Sequence, residues 1–196
     1  PDLAALEAAL AHLLHRQKTV LSFAGRNGPV QIEYAPKPAL ILAGRGAILR
    51  TTAQLAAHMD FELHLASPDL EDLARLEELN PTTRQSMTSP SAPIDLAIDA
   101  YSAVLLVFHD HEWEQAILMQ VSQNNPFFIG ALGSRKTHAM RVERLKQAGL
   151  SETQCAQIQG PIGLVPSLRN ASLIAVSALA EITAKLPPFQ VRLSSS

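Results

Sequence analysis

Three runs in this sequence, ALILA (39–43), AVLLVF (103–108) and PFFIGAL (126–132), carry almost no polar side chain. A strand that is apolar throughout must be covered on both faces, the condition met inside a parallel sheet flanked by helices. Each run is followed by a short polar or glycine-containing corner and then by apolar residues at helical spacing. Those helical segments run to about Met59, from about Glu112, and over 135–148. Strands alternating with helices predict βαβ units. The expected fold is therefore α/β, a three-layer Rossmann-like parallel sheet.

Elsewhere the pattern is plainer. Leu3, Leu6, Leu10, Leu13 and Leu14 recur at helical spacing and predict an amphipathic helix over 3–16, whose leucine stripe would serve as a packing or dimer face. TVLSFAGRNGPVQIEYA then reads as a β-hairpin, with Val30, Ile32 and Tyr34 on one face and Asn27-Gly28 supplying the tight turn. Pro36 and Pro38 mark a stiff linker. These features divide the chain into a helix-plus-hairpin appendage (1–35), a Rossmann-like domain (36–190) and a tail (191–196). Within the domain, FELHLA (61–66) is a further strand, and 67–94 is polar apart from a helical stretch near DLEDLARLEEL. SETQCAQIQ reads as a short helix capped by Ser151, PIGLVPSL as loop, and NASLIAVSALAEITAKL as the closing helix.

Composition narrows the partners. A net charge of −2 argues against nucleic acid, so any anion site has to be local. A single cysteine, Cys155, excludes an internal disulfide and a cysteine-rich zinc site; it reads as a buried, inert thiol in a reducing cytosol. No apolar stretch approaches the roughly 18 residues a membrane span needs, and PDLAALEAAL is not a signal peptide. The absence of an initiator methionine points to processing or trimming. A cytoplasmic protein is expected.

In a parallel sheet of this kind ligands sit beyond the carboxyl ends of the strands, which should bring three corners to one rim. The first is Gly44-Arg45-Gly46, where two glycines can turn tightly and offer amides to a phosphate. A dinucleotide fingerprint would carry a third glycine at Leu49 and an acid at the end of the second strand, where Ser67 stands and Asp69 is displaced by two. A tight turn that binds nothing is the alternative. The second corner is His109-Asp110-His111. Its three consecutive polar residues alternate in direction and do not converge as metal ligands do. They suit ligand contact or proton handling, or simply line a cleft, with Asp110 orienting an imidazole or capping the next helix. The third is Gly133-Ser134-Arg135-Lys136, continued by His138 and Arg141. Arg135, His138 and Arg141 are expected to share one stripe while Val142 and Leu145 face the core. Cations in a first helical turn oppose the macrodipole, and a bound anion would offset that cost; a solvated basic face is the plainer reading. Trp113 is expected to pack against the protein and not to stack on a ligand.

The stretch DAYSAVLLVFHDH…FFIGALGSRKTHAMRVERLKQAGLSETQCAQIQGPIGL resembles the C-terminal Rossmann-like domain of the xanthine dehydrogenase accessory protein family (XdhC/CoxI). The matching positions are Gly44 and Gly46, His109 to His111, Gly130, Gly133, Ser134 and Arg135, and then Pro161, Ile162 and Gly163. Ala47, Leu49, Ser67 and Val165 depart from the family pattern, and one helix with a hairpin stands where the family carries a larger N-terminal domain. The resemblance implies an accessory protein, often dimeric, that acts as a chaperone; no catalytic residue and no metal site are expected. Such a protein holds molybdopterin, the molybdenum cofactor, while a cysteine desulfurase supplies its terminal sulfur, and passes it to a molybdenum hydroxylase apo-enzyme. The cofactor-binding set would be Gly44, Arg45, Gly46, His109, Asp110, His111, Gly133, Ser134, Arg135, Lys136 and His138. An NAD(P)-dependent oxidoreductase and a non-catalytic interaction module are the alternatives; Leu49 and Ser67 speak against the first.

Overall fold

The computed structural model describes residues 3–25 and 28–187, which fall into two compact units. One takes in the described residues up to Lys37 together with Pro187; the other runs from Pro38 to Leu186. In the first, helix α1 (Leu3–Leu14) precedes strands β1 (Thr19–Gly25) and β2 (Gly28–Tyr34), which pair antiparallel with Gly25 opposite Gly28. Gly28 thus belongs to a strand. Asn27, expected in the turn, lies outside the described residues. Leu3, Leu6 and Leu10 of α1 are exposed.

The second unit is the expected three-layer sandwich. Its elements are β3 (Ala39–Gly44), α2 (Gly46–Ala56), β4 (Glu62–Ser67), α3 (Leu70–Arg75), β5 (Thr83–Ser86), β6 (Ser102–Val107), α4 (Glu114–Val121), β7 (Phe128–Ala131), α5 (Arg135–Gln147), α6 (Glu152–Gln157), β8 (Ile158–Gln159) and α7 (Ala171–Ala184). Single 3-10 turns, Glu77–Leu79 and His111–Trp113, follow α3 and precede α4. The six strands lie parallel in the order β5-β4-β3-β6-β7-β8. The short strands β5 and β8 close the two edges. Neither has the length or the apolar run that marks a strand in sequence, because an edge strand is covered on fewer sides.

The chain leaves β3 toward β4 but leaves β6 toward β7, so the connections run in opposite directions from the centre of the sheet. Right-handed crossovers then place the intervening helices on opposite faces. Alternate side chains of the same strands feed two cores. Leu40, Leu42, Leu63, Leu65, Leu105 and Val107 pack with α2, α3 and α7, whereas Ile41, Val104, Leu106 and Ile129 pack with α4, α5 and α6. Every residue of β3 and of β6 is buried. Leu49 is fully buried in the first core, so the position where a dinucleotide fold keeps a glycine is filled from the inside of α2. Cys155 and Ile158 share the second core, and burial pushes the Cys155 thiol up from its ordinary value. Trp113 stacks on Phe108 with ring centroids 6.4 Å apart. Ser151 caps α6 in a reciprocal capping box with Gln154.

Candidate functional site

The point where the strand order reverses lies between β3 and β6, whose paired ends are Gly44 and Val107. The three corners follow the carboxyl ends of β3, β6 and β7, three adjacent strands, and so come to one rim. They are not equivalent once side chains are placed.

At the first corner, Gly44 is required by its neighbour strand: a Cβ there would sit 2.4 Å from a Val107 methyl and 2.8 Å from the Val107 carbonyl oxygen. Its role is close strand packing, which differs from the amide cradle expected of it. Gly46 adopts φ +79°, a conformation few other residues tolerate. Its amide, assigned by the sequence to a phosphate, instead donates to Asp72 Oδ2 at 2.5 Å. Asp72 is 1% exposed, and its Oδ1 pairs with the Arg50 guanidinium. Asp69, the displaced acid, is spent as the N-cap of α3. Arg45 forms an ion pair with Asp110, tying the first corner to the second. Asp110 therefore neither caps the following turn nor orients an imidazole; the turn at His111 has no side-chain cap.

At the second corner His109 is exposed, while His111 is half-buried with Nδ1 3.3 Å from Glu114 Oε2. Glu114 carries no signal of function in the sequence, yet it is the hub here. It is 1% exposed and accepts two bonds from Arg141, from Nε at 2.8 Å and from Nη2 at 3.1 Å. Arg141 Nη2 also donates to the Leu132 carbonyl at 2.6 Å. Arg141 is thus a buried strut between α4, α5 and the end of β7, not a member of a rim stripe with Arg135. The reason is helical geometry: six residues at 3.6 per turn rotate a side chain by about 120° from its starting direction. Val142 and Leu145 do face the core. A cavity of about 20 Å³ bordered by His111, Glu114, Thr137 and Arg141 lies alongside. It has room for about one water molecule and cannot house a cofactor.

The third corner keeps its charge. Gly133 adopts φ +146°, and Ser134 caps α5 by accepting the Thr137 amide at 3.1 Å. The amides of Arg135 and Lys136 fall in the first turn, where a helix offers no acceptor. The first turn of α5 holds no acidic residue, Arg135 and Lys136 are exposed, and among the described residues no carboxylate pairs with either. His138 turns inward. Its Nδ1 lies 3.4 Å from Arg141 Nη1, and its ring occupies the space a Cβ at Gly160 would need. Burial, and then the Arg141 charge, hold His138 below the ordinary imidazole value. With Arg141 donating to Nδ1, the neutral ring carries its proton on Nε2. The PIGL segment is thereby drawn to the same corner, and Gly163 in turn donates its amide to Glu181 Oε2 of α7 at 2.6 Å.

Comparison with known proteins agrees with this frame. A family model described as the XdhC Rossmann domain matches residues 40–182. The chain belongs to that family. It is 30% identical over 152 residues to the Escherichia coli molybdenum cofactor insertion chaperone PaoD, covering 78% of this chain and 41% of PaoD. It is also 28% identical over 152 residues to the uncharacterized Escherichia coli protein YqeB, covering 74% of this chain and 27% of YqeB. The chain therefore spans less than half the length of either relative. Among solved structures, a Bacillus halodurans protein described as a xanthine dehydrogenase superposes with a TM-score of 0.69 at 17% identity, over 93% of this chain and 64% of that one. That likeness speaks to the fold. Among the described residues no group of three or more His, Cys, Asp or Glu is placed to hold a metal ion, and no helix is long and apolar enough to cross a membrane.

Proposed function

We propose that this XdhC Rossmann domain is an accessory module that holds the molybdenum cofactor by its phosphate at the α5 corner, for delivery to a molybdenum hydroxylase apo-enzyme. The observation that carries the reading is the uncompensated positive charge of Arg135 and Lys136 at the N-terminus of a 13-residue helix, whereas the cations of the first corner, Arg45 and Arg50, are paired. Two amides, a hydroxyl, a guanidinium and an ammonium form a donor set without an acceptor carboxylate, which suits a phosphate monoester. The similarity to PaoD supplies the identity of the phosphorylated group. In this reading Ser134, Arg135 and Lys136 grip the phosphate, His109 or the Nε2–H of His138 reaches the pterin, and Arg141 holds the corner in shape without touching the ligand. The cofactor supplies the anion; its metal chemistry belongs to the enzyme that receives it. A desulfurase and a second copy of the chain are further partners of the same reading.

The test is cofactor carry-over. The protein is purified anaerobically from cells making molybdenum cofactor, and the pterin fluorophore is measured after oxidative release. Arg135→Ala should lower retained pterin by about tenfold, the worth of one charge-assisted bond. Arg144→Ala, an exposed cation in the last turn of the same helix, should leave it unchanged. Equal losses would reduce the corner to generic charge. A protein that retains no pterin but binds NADPH tightly would be an oxidoreductase instead.

A further inference from the structure

The first corner has the parts of an anion site and already holds an anion. The N-terminus of α2 presents the Gly46 amide, and Arg50 adds a guanidinium from the second turn of the helix. Between them sits a carboxylate, that of Asp72, one oxygen on each partner. Amide plus guanidinium around two oxygens is the arrangement by which proteins grip phosphate at helix N-termini. Here the gripped group is tethered to the chain itself, 26 residues further on. Its placement is rigid. Asp72 is the third residue of α3, its own amide is held by the Asp69 cap at 3.3 Å, and its side chain is almost wholly out of water. A phosphate arriving at Gly46 would have to displace a carboxylate and would meet its negative charge at close range. Arg45, the other cation of this corner, is engaged by Asp110.

We propose that Asp72 is a built-in anion that occupies the phosphate seat at the N-terminus of α2 and closes that corner to phosphorylated ligands, dinucleotides included. Asp72 is then the specificity determinant of the rim. The inference stands on the Gly46–Asp72–Arg50 geometry. Only its consequence, that a phosphorylated ligand is left the α5 corner, rests on the function proposed above.

The experiment titrates inorganic pyrophosphate into the isotope-labelled 196-residue chain while following backbone amide resonances. In the wild type the Gly46 and Ala47 resonances should stay still. In Asp72→Ser, which empties the seat, they should move saturably, at pyrophosphate concentrations about tenfold or more below the highest that leaves the wild type unmoved. Asp72→Asn keeps the shape but not the charge, and should show a smaller gain. A wild-type Gly46 resonance that shifts on titration overturns the proposal, as does a folded Asp72→Ser variant that stays silent there. Should Asp72→Ser not fold, Asp72→Asn carries the test, and its silence at Gly46 overturns the proposal. The resonances of Ser134 to Lys136 report separately: their silence would count against the α5 reading and leave the assignment of Asp72 untouched.

Discussion

Glu114 and Arg141 meet almost entirely out of water, through two bonds whose geometry leaves neither charge exposed. Removing one partner strands the other as a buried ion, at a cost of about 3–5 kcal/mol, whereas replacing both by apolar residues of similar size is often close to neutral. Arg141→Met alone should therefore lower unfolding free energy by about 3–5 kcal/mol. The double variant Glu114→Leu/Arg141→Met should recover most of that loss, as read from urea denaturation midpoints. A double variant as unstable as the sum of the two singles would mean the pair is not a coupled unit. The same observation explains why Arg141 is no ligand for an anion: its guanidinium is already committed to Glu114 and the Leu132 carbonyl.

At the scale of elements, α5 and the PIGL loop are joined through one imidazole. His138 fits beside Gly160 only because Gly160 lacks a Cβ, which would lie 2.3 Å from Nδ1. Gly160→Ala should expel the ring and destabilise the domain by about 1–3 kcal/mol, the usual range for overpacking. The junction should also be acid-sensitive. Its folded value is held down by burial and by Arg141, so above about pH 6.5 the ring is neutral in both folded and unfolded chains. As pH falls below that value the unfolded chain takes up a proton that the folded one refuses, and stability declines until the depressed folded value is passed. Denaturation midpoints should fall over this window in the wild type and less steeply in His138→Gln. Identical profiles would separate His138 from the acid response.

For the whole molecule, a net charge of −2 means that attraction to an anion has to come from local charge and not from an overall field. Exposed charges of that kind are screened. Raising ionic strength from about 0.1 M to about 1 M shortens the Debye length from about 10 Å to about 3 Å, so pyrophosphate binding at Ser134 to Lys136 should weaken several-fold. A salt-independent affinity would point to a buried, shape-driven pocket instead.

The alternation of buried strands and helices, and with it the parallel sheet, its two covers and the shared rim, is legible from the residues alone. Those features follow from local periodicity: every residue of β3 and of β6 is buried, as their apolar runs require. The cap at Ser151 and the inward faces of Val142, Leu145 and Cys155 were legible for the same reason. Edge strands β5 and β8 were not, since four and two residues carry too little pattern. Which charges of the α2 and α5 corners stay free is set by contacts between segments far apart in the chain. Asp72 reaches Gly46 across 26 residues and Glu114 reaches Arg141 across 27, and no periodicity relates such pairs. Two polar groups look alike in sequence whether they face water or each other. The fold separates them by bringing distant helices into contact, which cancels charge at the α2 corner and leaves it standing at the N-terminus of α5.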